Sequence, residues 1–180
     1  MKSFFSVVVL LISLSTQAQV SQIVNYEPNS LKWSHYALSS NPSGYQKAFT
    51  YCGISYAVRS DEKGLTAEFQ AYVDLKESWV MKGAQSSHLL LHEQGFFDLT
   101  EIYARLMKQA TLEYIKSEGP NLTYEALLIA VRNIYKEKNN QLFIEQQAYN
   151  VETSNANDKE AQAMWSKKIQ NRLAALEQYK

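Results

Sequence analysis

Cysteine, charge of one sign and long apolar runs are all scarce in this chain of 180 residues. Cys52 is the single cysteine, so no internal disulfide can form. Its plain reading is a small buried hydrophobe in a strand, ahead of a reactive thiol. Lysine and arginine number 18, and so do aspartate and glutamate. No basic cluster occurs, which argues against nucleic acid as a partner. Beyond the N-terminus no segment is apolar enough to span a bilayer, so no membrane anchor is expected there. Internal repeats and low-complexity tracts are absent from the sequence.

The N-terminus has its own character. Met1-Lys2 is a short basic start, Phe4 to Leu14 is apolar, and Thr16-Gln17-Ala18 puts small residues at the cleavage-determining positions. That is the pattern of a secretory signal peptide over 1–18, cut after Ala18. The apolar run is too short for a membrane span, and no cysteine follows the cut to carry a lipid. A secreted or periplasmic protein is expected, with one domain over 19–180. Without Lys2 the basic residues fall to 17 against 18 acidic, a charge near −1. The 12 tyrosines suit an exported globular domain.

Residues 19–30 read as an extended lead-in and Leu31-Lys32-Trp33 as a short strand. Asn41-Pro42 and Gly44 mark a loop. Residues 49–59 are rich in β-formers. After a turn at 60–64, Leu65, Ala67, Phe69, Ala71, Val73 and Leu75 alternate with polar positions, a strand with one face buried. The two strands are expected to pair as an antiparallel hairpin, with Ser78-Trp79-Val80 as another short extended piece. Past Ser86 the pattern is helical. One helix runs to about Ser117, where Gly119-Pro120 ends it, with a stripe of His92, Phe96, Leu99, Tyr103, Leu106 and Ala110. Gly95 costs about 1 kcal/mol inside a helix, which a close neighbouring element would explain. A second helix starts near Thr123, with Asn139-Asn140 as a possible break. Residues 151–158 read as a loop, and Ala161 to Leu176 as a final helix. The expected class is α+β: a small antiparallel sheet followed by three helices.

One stretch carries chemistry. His92-Glu93 opens the His-Glu-x-x-His pattern of zinc proteases, where two histidines one turn apart hold the ion and the glutamate is the general base. Phe96 stands in the second histidine's place and has no lone pair to offer.

His92-Glu93-Gln94-Gly95 and Phe97 to Arg105, together with Leu31-Lys32-Trp33, Ala48 to Tyr51, Gly53 to Tyr56, Ser78-Trp79-Val80, and Tyr149, Glu152, Thr153, Gln162 and Trp165, resemble the bacterial family of predicted secreted zinc-dependent proteases, catalogued as domain of unknown function 922. The likeness runs over nearly the whole mature chain and keeps its motifs in order. It implies a zinc-protease-like fold, His92 as a metal ligand and Glu93 as general base. It also assigns ligand places to Phe96 and to Asn155, which stands where a later histidine belongs. Neither can serve as a normal ligand, and a catalytic zinc site uses three protein ligands.

Two functions follow from that resemblance. The first is a secreted, non-catalytic domain, a pseudoenzyme, that binds a peptide or protein through the old cleft, with His92 and Glu93 vestigial and no cofactor expected. Trp79 is its candidate groove residue, since an edge strand beside the helix commonly binds peptide. The second is an active zinc-dependent peptidase with a relocated site. His88 lies four residues before His92 on the same helix face and would substitute as a ligand, with Glu93, Asp98 or His35 as the third.

Overall fold

The computed structural model describes residues 22–39, 46–62 and 64–180. The signal-peptide segment and the Asn41-Pro42-Gly44 loop lie outside them. The order of elements is β1 (Ile23–Asn25), β2 (Ala37–Ser39), β3 (Ala48–Asp61), β4 (Gly64–Met81), α1 (Ser87–Glu118), α2 (Tyr124–Glu152) and α3 (Lys159–Ala175). The class is α+β. No helix among the described residues is long and apolar enough to cross a membrane.

The hairpin forms as its alternation predicts, from Ala48 opposite Val80 to Asp61 opposite Gly64. β4 is the centre of the sheet. β3 runs along one side, while β1 and β2 follow one another along the other. The expectation of an antiparallel sheet needs correction: β2 pairs with β4 in parallel, Ala37 opposite Trp79. Leu31-Lys32-Trp33 is not a strand but leads into a tight 3₁₀ turn, Trp33–His35, part of the connection in which the chain reverses between β1 and β2. Leu31 is buried there, and its N–H donates to Gln94 Oε1 at 3.1 Å.

Ser78-Trp79-Val80 is not a separate piece either. It ends β4 beyond an irregularity, where β3 advances from Phe49 to Tyr51 while its partners jump from Trp79 to Asp74. Ser78 holds this bulge closed, donating to Asp74 O at 2.6 Å and accepting from Tyr51 N–H at 3.0 Å. The extra residues flip the buried parity of β4 from Ala71 and Val73 to Ser78 and Val80. On β3, Ala48, Thr50 and Ile54 are buried.

α1 is the middle layer. From His92 to Arg105 every residue is buried except Phe96, which is half-buried. Three members of the predicted stripe meet α2. His92 and Phe96 pack on Tyr149 of α2, and Tyr103 donates to Glu145 of α2 at 2.9 Å. The side toward the sheet carries Phe97, edge-on to Tyr26 at 5.1 Å. Between Gln94 and Arg105 the buried amide and charged residues of α1 are each paired. Asp98 accepts from Tyr26 Oη at 3.0 Å and Gln94 Nε2 at 2.8 Å. Arg105 donates to Glu101 at 2.8 Å and to Glu177 at 3.0 Å, tying the C-terminal turn down.

Side chains set the helix starts. Ser86 accepts from Leu89 N–H, Thr123 from Ala126 N–H and Asp158 from Ala161 N–H. Thr123 caps the second helix, which starts where its pattern predicted. Asn139-Asn140 does not interrupt α2, which continues to Glu152. The loop expected over 151–158 shrinks to a turn after Thr153, in which Ser154, Asn155 and Ala156 all have φ between 50° and 66°.

Candidate functional site

A cavity of about 370 Å³ opens between β3, α1 and α2. Residues 46–52, the start of β3 and the two residues before it, form one wall. Leu89, His92, Glu93 and Phe96 come from α1, and Phe143, Gln146, Gln147 and Asn150 from α2, with Asn155 from the turn beyond. His92, Glu93, Phe96 and Asn155 therefore share one cavity. Trp79 and His88 do not line it. β4 is an interior strand at Trp79, paired on both sides, so the edge-strand role belongs to β3, which among the described residues pairs with β4 alone.

Hydrogen-bond logic fixes the state of His92. A backbone carbonyl only accepts, so Tyr149 Oη donates to His92 O at 3.0 Å. Tyr149 Oη then accepts from Gln162 Nε2 at 2.7 Å. That turns Gln162 Oε1 toward His92 Nδ1, 2.9 Å away. An amide oxygen cannot donate, so Nδ1 carries the proton. The neutral ring then keeps its lone pair on Nε2. Tyr149 also stacks on the imidazole at 4.8 Å and 18°, and Phe96 meets it edge-on at 5.1 Å. Burial holds the His92 pKa below its ordinary value, against hydrogen bonds to Gln162 and Asn150 that favour the cation.

Glu93 faces the sheet. Thr50 Oγ1 donates to Glu93 Oε2 at 2.6 Å. That uses the one hydroxyl hydrogen of Thr50, so Tyr36 Oη, 2.7 Å from Thr50 Oγ1, is the donor of the next bond. Burial pushes the Glu93 carboxyl up to about 7, with the Thr50 hydrogen bonds pulling the other way. Arg105 and Lys108, further along α1, are engaged elsewhere. Burial also pushes the Cys52 thiol up, which disfavours the thiolate.

Could these residues hold a metal? His92 is prepared as ligands usually are, with the second ring nitrogen donating to a fixed acceptor. The set around it fails. Phe96 offers carbon, and Asn155 Oδ1 accepts from Asn150 Nδ2 at 2.9 Å. His88 Nε2 is buried without a hydrogen-bond partner one turn away. Among the described residues no group of three His, Cys, Asp or Glu side chains could hold an ion. Of the ligand places that the resemblance assigns, His92 alone carries an imidazole.

No protein family, curated protein or solved structure matches the chain. The resemblance thus rests on the residues quoted for it. Several of those converge in space: Tyr149 and Gln162 surround His92, Thr153 Oγ1 donates to Tyr149 O at 2.7 Å, and Trp165 donates to Glu152 at 2.8 Å. Sequence reading assigned them no contact with His92, because the spacings of 57 and 70 residues carry no local signal. Thr50 was legible only as one position in a β-rich run.

Gly95 has the explanation that the helix pattern asked for. A Cβ there would collide with the Tyr149 hydroxyl and ring. Gly95→Ala should lower stability by about 1 kcal/mol, since overpacking (about 1–3 kcal/mol) exceeds the gain in helix propensity (about 1 kcal/mol). Thermal unfolding checks it, and a variant as stable as the parent would mean that Tyr149 moves freely.

Proposed function

We propose that this chain is a zinc-peptidase-like domain that has lost metal binding and catalysis and uses the remaining cavity to bind a peptide or protein. One observation carries the reading. The four positions that the resemblance assigns to a metal site, His92, Glu93, Phe96 and Asn155, line one cavity, and two of them, Phe96 and Asn155, lack the imidazole that the zinc site would need there. At about 370 Å³ the cavity falls within the range of ligand sites, roughly 300–1,000 Å³. Beside it runs the first part of β3, which among the described residues pairs with β4 alone and so offers backbone groups to an extended chain. A secreted or periplasmic setting belongs to the same reading.

In this proposal Glu93 has no activated water to deprotonate, so its role is electrostatic. Phe96 takes part of the volume that an imidazole would use but leaves space beside it.

The test is metal content. Purified protein, offered zinc and then dialysed, is expected to retain far less than one zinc per chain in elemental analysis. Retention near one per chain would overturn the proposal in favour of a relocated peptidase site built on His88, His92 and Glu93. Hydrolysis of a generic fluorogenic peptide that Glu93→Gln abolishes would do the same.

A further inference from the structure

Glu93 is a buried carboxylate without a cation. It is 3% exposed and lines the cavity, and its partner is the Thr50 hydroxyl. Among the described residues no lysine, arginine or histidine forms an ion pair with it. Lys47 lines the same cavity, but its ammonium donates to Asn157 Oδ1 at 3.1 Å. A carboxylate removed from water and left unpaired is unfavourable, and a cation entering beside it relieves that.

The remaining lining suits a cation on an apolar stem. Phe96 and Phe143 contribute from the helices, Phe49 and Tyr51 from β3. Aromatic faces attract ammonium and guanidinium groups, and the methylene stem of lysine or arginine packs on apolar surface. With its Nδ1 proton committed to Gln162, neutral His92 adds an acceptor and no donor. The two ionisable groups that α1 brings to the cavity therefore favour a donor-bearing cation and disfavour a carboxylate ligand.

We propose that the cavity receives a lysine or arginine side chain of a peptide or protein partner, with Glu93 as its counter-ion. This rests on the peptide-binding reading above and adds the identity of the side chain.

The experiment is an NMR titration of the full mature protein in mildly alkaline buffer. The probes are acetyl-Ala-Ala-Lys-Ala-Ala-amide and its norleucine counterpart, which keeps the stem and removes the charge. The lysine peptide is expected to shift the amide resonances of Thr50, Glu93 and Phe96 and to bind at least about tenfold more tightly than the norleucine peptide. Glu93→Gln should bring the lysine peptide down to the norleucine level. Were that variant not to fold, the comparison of the two peptides on the native protein still decides. Equal binding of both in the cavity overturns the counter-ion and leaves the peptide reading standing. No shift at cavity residues with either peptide overturns both. Butylammonium binding as tightly as the lysine peptide would assign the site to free amines and overturn the peptide partner.

Discussion

Phe96→His combined with Asn155→His is expected to create a zinc site with one ion per chain. Both positions line the cavity that His92 lines. Position 96 lies one turn beyond His92 on α1, the spacing at which two imidazoles on one helix face grip an ion. Asn155 has φ 53°, in the left-handed region. Histidine is among the few residues enriched there, so the backbone at that turn tolerates the change. The substitution gives up one hydrogen bond, from Asn150 Nδ2, a loss of about 1 kcal/mol. His92 needs no adjustment, because Gln162 already holds its Nδ1 proton and leaves Nε2 for a ligand. Going from one imidazole to three should tighten zinc binding by at least about a thousandfold, roughly 4 kcal/mol. Competition with a chromogenic chelator measures this. Each single variant should gain far less, since two ligands leave the ion largely to water. A double variant that folds yet binds zinc no better than the parent would show that these positions do not converge as a ligand set.

The helices and the hairpin were legible because each depends on short-range signals. Alternation from Leu65 to Leu75, caps at Ser86 and Thr123, and the Gly119-Pro120 stop are all local. The parallel pairing of β2 was not, because nothing in Ala37-Leu38-Ser39 distinguishes it from an antiparallel edge; its direction follows from the path through the Trp33–His35 turn. The stripe on α1 misled for a different reason. A helix buried on both sides has no polar face, and here Gln94, Asp98, Glu101 and Arg105 look like a solvent face in sequence while each is buried and finds a partner. Polar spacing alone cannot separate these cases.

The candidate site divides the same way. His92, Glu93 and Phe96 are adjacent on one helix and could be read together. Asn155 entered only through the resemblance, and it reaches the cavity because three successive left-handed residues turn the chain after Thr153. For residues other than glycine that conformation costs about 1–2 kcal/mol each, and here it sits at a cavity wall. Thr50 and Tyr36, which control Glu93, lie 43 and 14 residues from their partners in the relay and could be found only in space.

Glu93→Gln is expected to stabilise the protein above neutral pH and to leave it nearly unchanged in mild acid. The folded carboxyl is held at about 7 against an ordinary 4.5, burial being the main cause. A raised value means that the folded state holds the proton more tightly than the unfolded chain. The favourable contribution of Glu93 is then fully present below about pH 4.5, declines as pH rises, and is lost by about pH 7. Once the group is ionised, the cost of keeping it buried is on the order of 3 kcal/mol. Glutamine is neutral throughout and keeps an amide oxygen to accept the Thr50 hydrogen, so it avoids that cost. Asp98 and Glu101 also have raised values, but they titrate in parent and variant alike and cancel in the difference. For a chain of this size the variant should melt roughly 6–12 °C higher at about pH 8, with the two curves meeting near pH 4.5. A difference independent of pH would mean that Glu93 does not carry the titration. A variant less stable than the parent at high pH would mean that a cation already accompanies the carboxylate in the folded protein, which is the state that the proposed basic side chain of a partner would produce on binding.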